Sequence, residues 1–309
     1  MIPQQINSRK SITRGLTKAD NFTFSIRVGF WLTLMILSQQ LIIDGTTANI
    51  VIGIVLFGLM SAHGVELQHQ ALHGTAFTSR VANRLVGFVL GLPMFVSYSA
   101  YRDAHLWHHR FLGSLKDREF FNFKRNAGVG RADLFKHVIS LARFQKLAAE
   151  VKMSLSPHSK MPYRTRVEYI GMLVLVSSFF AFALVTSNPL LIVGWIVSLL
   201  VVAEPIHNLI ELPEHFGCDS STRVVLRNTR SITSNRFMTW YTNSNNLHVE
   251  HHLYPGVPMQ MLGRIHSDLQ PDLAYYNQTY FDFFRTIRRY RSEPASEVAS
   301  SKMQAGEVS

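Results

Sequence analysis

Three clusters of histidines carry the strongest chemical signal in this chain of 309 residues. They read His-Gln-Ala-Leu-His, His-Leu-Trp-His-His and His-Val-Glu-His-His. Each contains a pair at i and i+4, and the last two add a histidine at i+3, so on a helix each set shares one face. Imidazoles placed in this way can bind one metal ion, or one each of two neighbouring ions. The eight histidines are His69, His73, His105, His108, His109, His248, His251 and His252.

The number of histidines constrains the kind of metal site. Eight imidazoles are too many for a closed four-coordinate zinc site, and a repeated His-x-x-His-His is far beyond chance when histidine supplies 14 of 309 residues. Imidazole ligates Fe, Cu, Zn and Ni, so the ligand type alone does not name the metal. The sequence predicts a pocket for two ions that keep open positions for another ligand.

Further polar residues are candidates for the same pocket. His215, in Glu-Leu-Pro-Glu-His, is the candidate for a ninth ligand. His207, Glu211 and His215 are spaced by four, although Pro213 is expected to interrupt a helix there. We expect structural roles for two other histidines, His63 and His207. We expect surface positions for the remaining three, His137, His158 and His266.

Residues beside the clusters are candidates for supporting the ligands. We expect Glu66, Asn246 and Glu250 to orient ligand imidazoles through hydrogen bonds. For Trp107, packing and contact with a substrate both remain open.

Four apolar stretches indicate helices that span a membrane, because such helices need about 20 apolar residues. Asp44-Gly45-Thr46 separates the first pair and Ser187-Asn188-Pro189 the second, and both are turn signals. The sequence thus predicts two membrane hairpins, the second span continuing as a helix beyond the bilayer. The predicted spans are Phe24–Ile43, Ala48–Ala62, Tyr169–Val185 and Leu190–Ile206.

Charge supports this arrangement. All 31 Lys and Arg residues lie in the zones Arg9–Arg27, Arg80–Arg166 and Arg223–Lys302, and all but Arg27, near the start of the first span, lie outside the spans and their short turns. The positive-inside rule places these zones, the histidine clusters and both termini in the cytoplasm. The net charge of +11 is then explained by anionic lipid headgroups, and no nucleic-acid-binding motif accompanies it. The single Cys218 excludes an internal disulfide and fits a reducing compartment.

The predicted organisation has three parts. Residues 1–23 form a cytosolic leader, residues 24–291 a membrane domain, and residues 292–309 a disordered tail poor in apolar residues. Val81–Ala100 is apolar but interrupted by Gly and Pro. We interpret it as interfacial or re-entrant, because a crossing would put the clusters on opposite sides of the membrane. Leu134–Leu155 has the apolar spacing of an amphipathic helix, either on the membrane surface or packed on the domain.

These motifs resemble the membrane fatty-acid desaturase superfamily, which includes lipid hydroxylases and carotenoid ketolases. The resemblance covers roughly residues 45–270. Asn246 to Pro258 is similar to the third histidine box of acyl-lipid desaturases, and Glu214-His215-Phe216-Gly217 to the segment that supplies an additional metal-binding histidine. The resemblance implies an all-α integral membrane fold with a cytosolic helical cap. It also implies a centre of two Fe ions that uses O2, with His215 and the eight cluster histidines as ligands.

The resemblance also implies a reaction and partners. We expect O2-dependent oxidation of a fatty acyl chain or related lipid, with desaturation favoured and hydroxylation or ketolation on the same site as the alternative. The first box, with Gln70-Ala-Leu between its histidines, departs from many desaturases. No fused cytochrome b5-type His-Pro-Gly-Gly segment is present, so electrons are expected from an external donor of the ferredoxin or cytochrome b5/reductase type. A membrane zinc hydrolase and a metal transporter are the remote alternatives.

Overall fold

The computed structural model describes residues 17–117, 142–219 and 222–290, and these residues are mostly helical. Two short strands, β1 (Ser231–Ile232) and β2 (Tyr276–Asn277), pair in parallel. The helices in chain order are α1 Lys18–Asp44, α2 Thr47–Leu72, α3 Arg80–Gly91, α4 Tyr98–Phe111, α5 Ala142–Leu155, α6 Tyr163–Val185, α7 Leu190–Val197, α8 Glu204–His215, α9 Val225–Asn228, α10 Arg236–Tyr241, α11 His248–Leu253, α12 Leu262–Leu269 and α13 Tyr280–Tyr290.

Among the described residues, four helical stretches are long and apolar enough to cross a membrane, as the sequence predicts. They are Asp20–Asp44, Thr47–Leu72, Tyr163–Val185 and Leu190–His215. Their outward faces expose large apolar side chains such as Ile36 and Val51, which suits a lipid environment. The second continues as a helix for ten residues past Ala62, as predicted, so that His69 lies on the same helix and His73 directly follows it. The arrangement as two hairpins under a cytosolic cap stays a prediction.

Local sequence explains how α1 and α2 begin, end and pack. A capping box between Thr17 and Asp20 starts α1, and Gly45 ends it with a φ of 77°, a left-handed conformation that favours glycine. The two helices lie in contact. At Gly53 an added Cβ would lie 2.7 Å from the Ser38 carbonyl oxygen, so this glycine lets the backbones approach closely.

The predicted interruption in Val81–Ala100 is present. Helices α3 and α4 meet at a bend of 98°, through a 3-10 turn at Leu92–Met94 that contains Pro93. A Cβ on Gly91 would lie 2.2 Å from the Val96 carbonyl oxygen, so the bend requires a residue without a side chain there. Such a bent pair is either a broken span or a re-entrant loop, and the interfacial interpretation stays a prediction.

The fourth candidate span is not a uniform α-helix. A π turn, Ser198–Ala203, joins α7 to α8 just before Pro205. Proline has no N–H and its ring crowds the carbonyl one turn back, and the wider π turn makes room for it. The expected interruption at Pro213 is wrong, because α8 continues through it to His215. Arg230 donates hydrogen bonds to the carbonyl oxygens of Pro213 (2.6 Å) and Phe216 (2.7 Å), which satisfies this helix end.

The remaining predictions for the fold concern the ends of the chain and the amphipathic segment. Helix α5 covers residues 142–155 of the predicted amphipathic segment Leu134–Leu155. The first part of that segment, residues 134–141, lies outside the described residues. Most of the predicted leader and the whole predicted tail also lie outside them. The C-terminal region packs around its own apolar core, which includes Leu247, Met259 and Leu262 and lies beside α11.

Candidate metal centre

Four helices supply the nine predicted ligand residues. Helix α2 carries His69, and His73 directly follows its last residue. Helix α4 carries the second cluster near its C-terminal end, α8 ends on His215, and α11 begins with His248. The described structure therefore brings residues from distant parts of the chain to one place.

The nine histidines form two groups. Within each group the candidate ligand nitrogens all lie within 4.8 Å of one another. The groups adjoin, since the rings of His109 and His252 stack with centroids 4.1 Å apart. The first group is His69, His73, His105, His109 and His251, and the second is His108, His215, His248 and His252.

The spacing of the His-x-x-His-His motifs explains the division. On α4 the i and i+4 members, His105 and His109, join the first group, while the i+3 member, His108, joins the second. On α11 the i and i+4 members join the second group and the i+3 member, His251, joins the first. Each of these two motifs thus contributes to both groups, an arrangement that suits two neighbouring metal ions.

The hydrogen-bond partners of His108 and His215 determine which nitrogen of each ring carries the proton and which presents a lone pair to the pocket. The Nδ1–H of His108 donates to the Asp117 carboxylate at 3.0 Å, and the Nδ1–H of His215 to the Asn228 carbonyl oxygen at 3.1 Å. With the proton on Nδ1, Nε2 is an acceptor only. Yet the Nε2 atoms of His108 and His215 lie 3.1 Å apart. Two lone pairs cannot hydrogen-bond each other, so a cation between them is what this geometry fits.

The same close approach recurs in both groups. Nε2 of His69 lies 2.7 Å from Nε2 of His105, and Nε2 of His109 lies 3.0 Å from Nε2 of His251. In the second group Nε2 of His252 lies 3.0 Å from Nε2 of His248. All the contacts join imidazole nitrogens, and this donor set suits Fe, Cu, Zn and Ni rather than Mg or Ca.

Burial keeps these rings in the form that binds metal. It lowers the pKa of His248, His251 and His252 well below the ordinary histidine value, because an imidazolium ion loses its hydration there and faces other histidines. The rings are therefore neutral at neutral pH. A neutral imidazole can donate its lone pair to a metal, whereas the protonated form cannot.

Three residues that support the site escaped prediction from sequence. Asp117 lies in the loop after α4, nine positions past His108, where no periodicity marks it. Asn245 accepts from Nδ1–H of His248 at 3.0 Å, and its amide group donates to Glu214 at 2.8 Å. Glu214 Oε2 in turn lies 3.3 Å from Nε2 of His248, so a carboxylate borders the second group. The proximity of Asn245 to the third cluster in sequence is the one signal that could have identified it.

The predicted supporting residues make other contacts. Asn246 holds the backbone of Ile232 and Thr233 and accepts from Thr242, so the prediction that it orients a ligand ring is wrong. Strand β1 passes beside Asn246, so the backbone there, rather than a histidine ring, takes the hydrogen bonds of the Asn246 amide group. For Glu66, whose Oε1 lies 3.9 Å from Nδ1 of His207, the orienting role stays a prediction.

The carboxylate of Glu250 anchors the ligand helix rather than a ligand ring. It accepts from the Ser231 hydroxyl at 2.5 Å and from Nδ1–H of His266 at 2.6 Å. The surface position expected for His266 is therefore wrong. The His266 ring is buried because α12 packs against α11. A buried carboxylate is costly without a hydrogen-bond partner, and His266 provides one for Glu250.

The other histidines match the predictions where they are described. His63 is buried, and its Nδ1 lies 2.6 Å from the Tyr241 carbonyl oxygen, as a structural residue should. His207 is also buried, with Nε2 3.2 Å from Glu211, and lies outside both groups. His158 is exposed, and His137 lies outside the described residues. The Trp107 indole packs on Phe111 and donates to the Lys116 carbonyl oxygen at 2.8 Å, which favours the packing role.

Comparison with known proteins places these observations in a family. The fatty acid desaturase family pattern matches residues 46–284, which include all nine histidines. The chain is similar to dihydrorhizobitoxine desaturase of Bradyrhizobium elkanii, with 25% identity over 249 residues, covering 72% of this chain and 68% of the relative. The match covers most of the chain and includes both histidine groups, which leads to one conclusion. The chain belongs to the fatty acid desaturase family and is an oxidoreductase.

Proposed function

We propose that this protein uses O2 and two iron ions to desaturate a fatty acyl chain or a related lipid. The observation that supports the proposal most directly is the pair of adjoining histidine groups, whose inward nitrogens approach one another closely, with lone pairs facing each other at His108 and His215. Bound iron supplies redox chemistry with O2 that no protein side chain provides. In this proposal the nine predicted histidines are the ligands, five for one ion and four for the other.

The protein's own groups hold and shield the ions. Asp117, Asn245 and the Asn228 carbonyl each accept a hydrogen bond from an Nδ1–H group and thereby fix the orientation and tautomer of one ring. Such outer contacts raise the basicity of the ligand nitrogen. Seven of the nine histidines are buried, and His73 and His109 are partly exposed. Access to the pocket is therefore restricted, which keeps water from the reacting carbons.

Desaturation is favoured over hydroxylation by the comparison. The similar protein from Bradyrhizobium elkanii is named for desaturation, and the third cluster resembles that of acyl-lipid desaturases. A hydroxylase or ketolase would use the same ligands and differ in how the substrate is placed. A zinc hydrolase or a metal transporter is disfavoured, because the chain belongs to an oxidoreductase family.

The reaction requires electrons from outside the chain, so we propose a donor protein of the ferredoxin or cytochrome b5/reductase type. The exposed side of α4 suits an acidic donor. There Trp107 is 44% exposed and packs on Phe111 at the end of the helix that carries three proposed ligands. The cationic groups of Arg110 and Lys116 lie 5.3 and 5.5 Å from the centre of the Phe111 ring. In the same proposal residues 24–291 form the membrane domain, and the metal centre faces the cytoplasm.

Expression in a lipid-rich host tests the function. Wild type and His158→Ala, an exposed histidine outside both groups, are expected to produce new double bonds in gas chromatography–mass spectrometry of the lipids. His252→Ala is expected to produce none and to lose iron in elemental analysis. Hydroxylated products would support the alternative reaction. Unchanged lipids in all three strains, or zinc without O2 consumption, would contradict the proposal.

A further inference from the structure

A groove away from the metal centre lies between α3 and α6. Its volume is about 700 Å³, within the usual range of small-molecule sites. Its walls are mostly apolar and include Val81, Leu85 and Phe88 on α3 and Val167 and Gly171 on α6. Val81, Leu85 and Val167 expose 66%, 62% and 46% of their surface. An apolar trough of this size on an outward face calls for an apolar occupant.

One end of the groove is strongly basic. Arg80, Arg84 and Arg164 line it together with a single acid, Glu168. Glu168 already has partners: its carboxylate forms an ion pair with Arg84 at 3.1 Å and accepts hydrogen bonds from the hydroxyl groups of Ser97 and Ser99. Arg80 and Arg164 are exposed, and no ion pair joins either of them to another described residue. The groove thus carries two uncompensated positive charges.

The direction of the helices strengthens the case for an anion at this end. Arg80 is the first residue of α3 and Arg164 the second of α6. The N-terminus of a helix carries partial positive charge, so cations there are unfavourable unless an anion lies nearby. Neither helix has an acid in its first turn to provide one.

The membrane setting identifies the occupant. Helix α6 is one of the four candidate spans and begins at this basic end, with its apolar length following. A ligand with a phosphate at the membrane surface and an acyl chain in the apolar region matches both parts of the groove. We propose that the groove between α3 and α6 binds an anionic glycerophospholipid of the membrane. Arg80 and Arg164 hold its phosphate, and an acyl chain lies along Val81, Leu85 and Val167.

This lipid site is linked to the metal centre through α4. Glu168 accepts from the Ser99 backbone N–H at 2.8 Å and from the Ser97 hydroxyl at 2.8 Å, where α4 begins. Arg84 is bonded to the same carboxylate and lines the groove. A lipid that restricts the motion of Arg84 therefore also stabilises the start of α4, the helix that carries His105, His108 and His109. The site does not depend on which oxidation the enzyme catalyses.

The test measures lipid retention by the full-length, metal-loaded protein in native mass spectrometry. Phosphatidylglycerol is expected to be retained over phosphatidylcholine. The double variant Arg80→Gln, Arg164→Gln is expected to weaken retention about 30-fold, since each Arg near an anionic lipid contributes on the order of 1 kcal/mol. The matched double variant Arg264→Gln, Arg285→Gln, which removes two exposed charges elsewhere, is expected to retain it as wild type does.

A second pair of variants tests the apolar part without touching the charges. Gly171→Leu fills the groove, and its Cβ meets only Phe88, at an ordinary 3.6 Å, so the helix tolerates it. It is expected to reduce retention of phosphatidylglycerol, whereas Gly29→Leu on an open face of α1 is not. Equal retention of both lipids would overturn the proposal. So would retention unaffected by the groove variants, or displacement of the lipid by the same concentration of inorganic phosphate.

Discussion

In three of the nine candidate ligand rings, those of His108, His215 and His248, the orientation of the inward nitrogen depends on what the other ring nitrogen contacts. Asp117 is fully buried, and its carboxylate binds the Nδ1–H of His108. Replacing it by Asn keeps the size but removes the charge that favours this tautomer. We expect Asp117→Asn to lower iron affinity by about 10- to 100-fold, the usual effect of losing such a partner, as measured by competition with a chelator.

Asp103→Asn is the matched control for that substitution. Asp103 lies on the same helix but is exposed, so its loss should leave iron affinity unchanged. Equal affinity in wild type and Asp117→Asn would show that the carboxylate does not orient the ligand.

The buried neutral rings also predict a dependence on pH. The pKa values of His248, His251 and His252 are lowered in the folded protein, whereas unfolded histidine titrates near about pH 6.5. Stability is therefore complete above about pH 6.5 and falls as the pH drops below it, because only the unfolded chain takes up protons there. Thermal unfolding of the metal-free protein between about pH 8 and pH 5 tests this. A constant midpoint over that range would contradict the expected neutral rings.

At the scale of elements, the loop after α4 positions Asp117 and requires a glycine. Gly113 has a φ of 72°, and an added Cβ would lie 2.0 Å from the Thr222 carbonyl oxygen. Because backbone cannot move aside cheaply, Gly113→Ala is expected to shift the loop, weaken the Asp117 contact and lower the bound iron measured by elemental analysis.

Gly45→Ala separates this effect from backbone strain alone. Gly45 also has a positive φ, 77°, but its Cβ would meet only Ile43, at 3.6 Å. Both variants should lose about 1–3 kcal/mol of stability from the strained conformation. Full iron content in Gly113→Ala would rule out the proposed role of the loop.

The elements also show where prediction from sequence succeeded. The i, i+3 and i+4 spacings alone predicted that the histidines of α4 and of α11 lie close together, as they do, because helical geometry fixes which side chains share a face. The burial of His266 and the contacts of Asn246 depend on which elements pack against α11, and a single sequence does not encode that locally. The error at Pro213 has a similar origin, since Arg230, from a later segment, satisfies the carbonyls at that helix end.

For the whole molecule, hydropathy alone located the four candidate spans, but the second and the fourth extend to Leu72 and His215, well past their predicted ends at Ala62 and Ile206. Helix α2 is the clearest case, as it continues past its apolar part to Leu72 with Glu66 and His69 buried inside the protein. Tertiary packing, rather than lipid, accommodates these polar residues. The apolar pattern could not show this, because it reports only what faces the membrane.

The distribution of Lys and Arg predicts the orientation of the whole protein. We expect reporter fusions at both termini to lie in the cytoplasm, so that green fluorescent protein is fluorescent and alkaline phosphatase inactive in a bacterial host. Phosphatase inserted after Gly45 or Asn188 should be active, because both turns connect spans on the opposite side. Active phosphatase at either terminus would contradict the orientation.

The division of ligands among distant segments has a consequence for biogenesis. The first histidines leave the ribosome with α2, whereas those of α11 emerge only after the fourth candidate span has been synthesised. Each group needs a residue from α11 to be complete. Under the proposed function, membrane insertion therefore precedes iron acquisition, and loading with metal becomes the step at which a cell can distinguish a finished chain from an incomplete one.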